Sequence, residues 1–146
     1  MIELLQDYIK NKRNQIRYIQ KLAIISNLKV KIDLFENDIY KYLVLLEQFL
    51  MQHFANKIEI INDSVYLYGK GKYGIYICMS KSEDNIIDCN ICITIYDYHK
   101  NCNSSKYTCQ TLETIEIFDL TDEILIEKIN KYIKDGKIEC DCKNKI

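Results

Sequence analysis

The sequence predicts one α+β domain, 1–146, in which helices flank an antiparallel sheet, and three observations support this prediction. Apolar residues recur every three to four positions over 1–55, which is typical of helices. From Lys57 to Phe118 they recur at every second position, which is typical of strands with one apolar face. The last segment, 121–142, combines a helical pattern with a short strand. At 146 residues, the chain is long enough to bury a core without disulfides.

The first helix is predicted over Ile2–Ile25. Its apolar face repeats at helical spacing: Ile2, Leu5, Ile9, Ile16, Ile19 and Ala23. Four cations, which we call the basic ridge, follow the same spacing on a neighbouring face: Lys10, Arg13, Arg17 and Lys21. The apolar face is wide enough to serve either the core or a homodimer contact, and the sequence leaves both open.

The second helix is predicted to end near His53, and its apolar residues recur at helical spacing: Ile39, Leu43, Leu46, Phe49 and Leu50. Its start is ambiguous. Asp33 with Glu36 fits a variant of the capping box, whereas Asn37 or Asp38 fits a simple N-cap equally well. Because apolar residues surround much of its circumference, we expect this helix to be covered on several sides.

A meander of four to five strands is predicted over these segments: 57–61, 65–68, 73–79, 87–97 and 107–118. Turns are indicated by the composition of Asn62–Ser64 and by the glycines of Gly69–Gly74, and a polar hairpin tip is predicted at 100–105.

A closing helix is predicted over Thr121–Lys134. Its first turn is acidic and Gly136 stands where a C′ glycine belongs. A short final strand is predicted from three residues that share one face: Ile138, Cys140 and Cys142.

Charge and composition are both uneven along this chain. Residues 1–31 carry seven positive and two negative side chains, so the remainder must carry −6 to give the total of −1. The chain has 26 Ile but two Ala, and 18 Lys but two Arg, which is typical of an A/T-rich coding sequence. That composition is compatible with a viral or mobile-element origin. The two arginines are candidates for a binding role in so lysine-rich a chain, because a planar guanidinium can bind a carboxylate or phosphate through two parallel hydrogen bonds.

The expected location is the cytoplasm, with no membrane association. The start of the chain lacks the pattern of a signal peptide, and no apolar run approaches the length of a membrane span. Seven cysteines, an odd number, then indicate reduced thiols rather than a disulfide framework.

Neither a metal, a cofactor nor a catalytic site is expected. Cys89 and Cys92 have the spacing of zinc ligands, but three residues' separation on a strand sends them to opposite faces. An alternative set of metal ligands, without a defined spacing motif, would combine His99 and Cys102 with Cys109 or Cys142. An acid, base and thiol set of Asp97, His99 and Cys102 would lie at an exposed hairpin tip without a cleft. The glycines at 69–74 match neither phosphate-binding motif.

Two surfaces remain as candidates for binding a partner. One is the basic ridge, and the other is a group of tyrosines on the polar face of the meander: Tyr66, Tyr68, Tyr96 and Tyr98. Both could be merely solvated surfaces. The leading hypothesis is a small non-enzymatic protein-binding module, an inhibitor of a host or rival enzyme of the anti-defence or immunity type. The alternative is a nucleic-acid-binding protein that uses the basic ridge, which the sequence pI of about 6.1 disfavours.

Overall fold

The computed structural model describes residues 1–26, 36–81, 87–98 and 107–135. Within these residues, three helices and five strands follow one another: α1 (Ile2–Ser26), α2 (Glu36–His53), β1 (Ile58–Ile61), β2 (Ser64–Tyr68), β3 (Lys72–Lys81), β4 (Ile87–Tyr98), β5 (Tyr107–Glu116) and α3 (Asp122–Asp135). The predicted α+β class is confirmed, with two N-terminal helices, the sheet and a C-terminal helix. The predicted final strand and the hairpin tip at 100–105 lie outside the described residues.

The five strands form a single antiparallel meander in the order β1-β2-β3-β4-β5. Asn62 takes a positive φ of 56° in the tight turn between β1 and β2, a conformation that asparagine tolerates better than most residues. The register between β4 and β5 shifts after the pair Ile93↔Glu113, because Thr94 pairs with Thr111 and one residue of β5 is left over. The predicted fifth strand is two residues too long, since Ile117–Asp119 forms a 3₁₀ turn.

Alternation along the strands gives the sheet two different faces. The inner face is apolar and contributes buried residues from every strand, including Ile58, Leu67, Ile75, Ile93 and Ile115. The side chains between them point the other way and form what we call the outer face. One row of the outer face runs across the four strands β2 to β5 through Tyr66, Gly74, Thr94 and Thr111.

All three described helices bury their apolar stripes against the inner face. Ile2, Leu5, Ile9 and Ile16 of α1 are in the same buried cluster as Leu43, Leu46 and Leu50 of α2 and Leu125 and Ile129 of α3. A polar contact joins α1 to α2 at the rim of this core, where the Tyr8 hydroxyl donates to Asp38 over 2.7 Å. No helix in the described part of the chain is long and apolar enough to cross a membrane.

Candidate functional site

A cluster of tyrosines occupies the middle of the outer face. Tyr66 from β2 and Tyr96 from β4 lean toward each other, and their rings meet edge to face with centroids 5.7 Å apart. They meet above Gly74, the β3 residue that pairs with both Tyr66 and Thr94. We call the group formed by Tyr66, Tyr68 and Tyr96 the tyrosine cluster.

Gly74 makes the tyrosine cluster possible, because it leaves room for two rings. A Cβ at this position would lie 2.8 Å from Cε2 of Tyr96, 2.9 Å from Oγ1 of Thr94 and 3.2 Å from Cε1 of Tyr66. The Thr94 hydroxyl also donates to the Gly74 carbonyl over 3.2 Å, which fixes the strand beneath the rings. The rings therefore cover the backbone at this glycine, as aromatic residues commonly do on sheets.

Two lysines lie over the rings of the tyrosine cluster. Nζ of Lys72 is 4.2 Å from the centroid of Tyr66 and 6.0 Å from that of Tyr68, while Nζ of Lys57 is 5.0 Å from the Tyr68 centroid. The Tyr68 hydroxyl also donates to Glu59. The rings are half-buried and the cations attract them through their π faces, so the patch combines aromatic area with positive charge.

Burial affects the ionisation of the outer-face tyrosines. It raises the pKa of Tyr76 to about 12, with a further contribution from the neighbouring Cys92 thiol. Burial also raises the pKa of Tyr96, and the side chain of Cys109 adds to the effect. Both hydroxyls stay protonated at neutral pH and can donate hydrogen bonds to a partner.

Arg13, one of the four residues of the basic ridge, is committed to contacts within the protein. Its Nε donates to the Ile87 carbonyl at the start of β4 over 2.8 Å. Its guanidinium lies 4.7 Å from the ring centroid of Phe118 and 3.9 Å from a carboxylate oxygen of Asp88. With the side chain only 20% exposed, Arg13 attaches α1 to the end of the sheet.

The other three members of the basic ridge, Lys10, Arg17 and Lys21, are exposed on α1. Beside them lies Tyr18, which is 64% exposed and which no sequence pattern had indicated as a candidate binding residue. It stands directly after Arg17 and three residues before Lys21. Helical spacing places Tyr18 at the edge of the apolar stripe, but it does not determine whether the ring is covered or exposed.

The two predicted surfaces lie on opposite sides of the sheet. The tyrosine cluster is on the outer face, whereas α1 packs on the inner face, with Lys10, Arg17 and Lys21 exposed to solvent. One flat partner surface therefore cannot contact both at once. Tyr98, the fourth tyrosine of the prediction, pairs through its backbone with Tyr107 at the end of β4, and its side chain lies outside the described part of the structure.

The cysteine pair with zinc-like spacing is divided between the two faces, as predicted. Cys89 is fully buried among the isoleucines of the inner face, where burial raises the pKa of its thiol to about 12. Cys92 lies on the outer face, and its Sγ is 3.7 Å from the hydroxyl of Thr114. Within the described ranges, no three His, Cys, Asp or Glu side chains converge on one point where a metal could bind. His99 and Cys102 lie outside those ranges.

Comparison with known proteins adds no functional information to these surfaces. No family model matches the chain, and neither the curated proteins nor the solved structures gave a significant match.

Proposed function

We propose that the protein is a binding module that acts by covering part of another protein with its outer sheet face. The observation that carries this proposal is the tyrosine cluster, which is built over Gly74 and flanked by Lys57 and Lys72. Tyrosine is enriched among the residues that dominate binding energy at protein interfaces. A packed tyrosine also loses little conformational entropy when a partner covers it, because the fold has already fixed its rotamer.

The chemistry of this patch defines the partner surface that fits it. The rings favour apolar or aromatic side chains, and Lys72 favours a carboxylate placed at the centre of the contact. Such a module inhibits an enzyme when the covered surface contains the enzyme's own site. We therefore propose the role of an inhibitor of the anti-defence or immunity type, acting in the cytoplasm, where the free thiols of the chain would remain reduced.

Two adjacent residues of β5 allow a matched test of this proposal. Thr111 and Gln110 are both exposed, but Thr111 belongs to the outer-face row of Tyr66 and Gly74, whereas Gln110 pairs with Ile95 and faces the other way. The tagged full chain is used to capture partners from an extract of its native cells after nuclease treatment. A stoichiometric protein is expected to bind the wild type and the Gln110→Arg variant and to be lost from Thr111→Arg. Equal retention by both variants would exclude the outer face.

The alternative function, nucleic-acid binding, is favoured by the exposed cations of α1. Lys10, Arg17 and Lys21 could neutralise about three phosphates, for which the logarithm of affinity should fall with that of salt at a slope of about −3. The double variant Arg17→Glu/Lys21→Glu is expected to abolish such binding, while Thr111→Arg leaves it unchanged. A protein partner held by the tyrosine cluster should show the reverse pattern and much weaker salt dependence.

A further inference from the structure

Two thiols from neighbouring strands come together on the outer face, away from the tyrosine cluster. Tyr76 of β3 pairs with Cys92 of β4, and Cys78 pairs with Asn90, so Cys78 and Cys92 are diagonal neighbours on one face. Both side chains therefore project from the same face of the sheet at adjoining positions of neighbouring strands. The sequence separates them by 14 positions, so no spacing motif draws attention to the pair.

One thiol of the pair is accessible from solvent and the other is buried. Cys78 is exposed, whereas Cys92 is only 5% exposed. The Thr114 hydroxyl lies 3.7 Å from Sγ of Cys92, and Tyr76 stands directly opposite Cys92 in the pairing of β3 with β4. A hydroxyl that can donate to a sulfur is the kind of outer shell that stabilises a metal-bound thiolate.

The geometry argues against a disulfide between these two cysteines. Diagonal neighbours on a sheet have Cα atoms about 7–8 Å apart. A disulfide requires a separation of about 4.4–6.8 Å. The backbone would have to move before the sulfurs could join, but an ion placed between them bridges the longer span. Tetrahedral zinc needs two more ligands. Asp88 and Glu116 lie on the same face, but no third His, Cys, Asp or Glu side chain in the described part of the chain converges with the pair on one point.

We propose that Cys78 and Cys92 form a two-coordinate site for a soft monovalent cation, Cu(I) being the ion that thiolates select in proteins. Binding exchanges two protons for one ion: two neutral thiols and one Cu(I) give a bis-thiolate complex of charge −1 and release two protons. No oxidant or reductant takes part.

The test is an anaerobic titration of the full chain with Cu(I) in competition with a chromophoric chelator. The background variant carries Cys102→Ser, Cys140→Ser and Cys142→Ser, so that only four cysteines remain: Cys78, Cys89, Cys92 and Cys109. We expect this background to bind one Cu(I) per chain, with two sulfur ligands in copper X-ray absorption. Adding Cys78→Ser is expected to lower the affinity at least about 100-fold, since one of only two ligands is lost.

Cys109→Ser is the matched control, because Cys109 is an exposed cysteine of the same outer face and pairs with Tyr96, away from the site. It should leave stoichiometry and affinity unchanged. Circular dichroism of each variant verifies the fold, and serine at the exposed position 78 is not expected to disturb it. The proposal fails if the background binds no Cu(I), if Cys78→Ser binds as tightly as the background, or if X-ray absorption finds other than two sulfurs.

Discussion

Arg13 and Arg17 lie one helical turn apart on α1 but have different surroundings. Arg13 donates a hydrogen bond to the Ile87 carbonyl and lies over the Phe118 ring, whereas Arg17 is exposed to solvent. We expect Arg13→Ala to lower the free energy of unfolding by about 1–3 kcal/mol, because it removes a charged hydrogen bond and a cation–π contact. Arg17→Ala should change it by less than about 0.5 kcal/mol. Urea denaturation of both variants measures the difference, and equal midpoints would show that Arg13 is not an anchor.

Lysine at position 13 offers a finer test of the same contact. A lysine keeps the charge but cannot donate from a planar fork to the Ile87 carbonyl while stacking on Phe118. Arg13→Lys is therefore expected to recover only a fraction of the loss seen with Arg13→Ala. Full recovery would mean that charge near Asp88, 3.9 Å away in the wild type, accounts for the whole effect.

Gly74→Ala should destabilise the protein although alanine is ordinarily the better residue in a strand. The new Cβ would meet Tyr96 and Thr94 at less than 3 Å, so the rings above it must move. We expect a loss of about 1–3 kcal/mol, typical of overpacking, measured by urea denaturation. Gly69→Ala is the comparison, since its nearest neighbour is a methyl of Ile133 at 3.2 Å and the loss should be smaller. A Gly74→Ala variant as stable as the wild type would contradict this close packing of Tyr96 and Thr94 against Gly74.

At the scale of elements, α1 and α3 are joined at their N-termini by one carboxylate. Asp122, the first residue of α3, accepts a hydrogen bond from the Ile2 N–H over 2.8 Å, and the Met1 ammonium lies 3.0 Å from its other oxygen. Burial acts to raise the pKa of Asp122, but these two donors outweigh it and hold that pKa below its ordinary value. The charged carboxylate therefore stabilises the helix start of α1.

This contact predicts a defined pH dependence for Asp122→Asn. A lowered pKa means that the stabilisation is complete above the unfolded value of about 3.9 and is lost as pH falls through the folded value. At pH 7 the variant should be less stable than the wild type by about 1 kcal/mol. The difference should shrink as the pH is lowered below about 4. Urea titrations at several pH values provide the measurement, with the exposed Asp119→Asn as control; a constant difference would refute the assignment.

Helices and strands were predictable from the sequence where the spacing of apolar residues determined them. Alternation from Ile87 to Asp97 placed Cys89 and Cys92 on their correct faces, and helical spacing located α1 to within one residue of its end. Contacts between distant residues were not predictable in this way. Arg13 and Ile87 are 74 positions apart, so spacing along α1 could not distinguish Arg13 from Arg17. The Cys78 and Cys92 pair likewise depends on the register of β3 against β4, which hydrophobic alternation leaves open by steps of two residues.

The whole molecule should unfold as one unit. A single buried cluster takes residues from all three helices and all five strands, so no described element has a core of its own. We expect two probes to give one common urea midpoint: far-ultraviolet circular dichroism, which reports mainly the helices, and tyrosine fluorescence, to which the strands contribute seven of the twelve tyrosines. Separate midpoints would show that the N-terminal helices and the sheet are independent, and would contradict the prediction of one domain over 1–146.

The layering of helices on one face of the sheet also bears on how this protein can change over generations. Alternate residues of each strand face different environments, because odd and even positions lie on opposite faces of the sheet. Substitutions at Thr111, Tyr68 or Lys72 change the outer face while leaving the packing of Ile75 and Ile93 on the inner face untouched. If the outer face is the binding surface that we propose, its specificity can change over generations without any change in the residues that form the core.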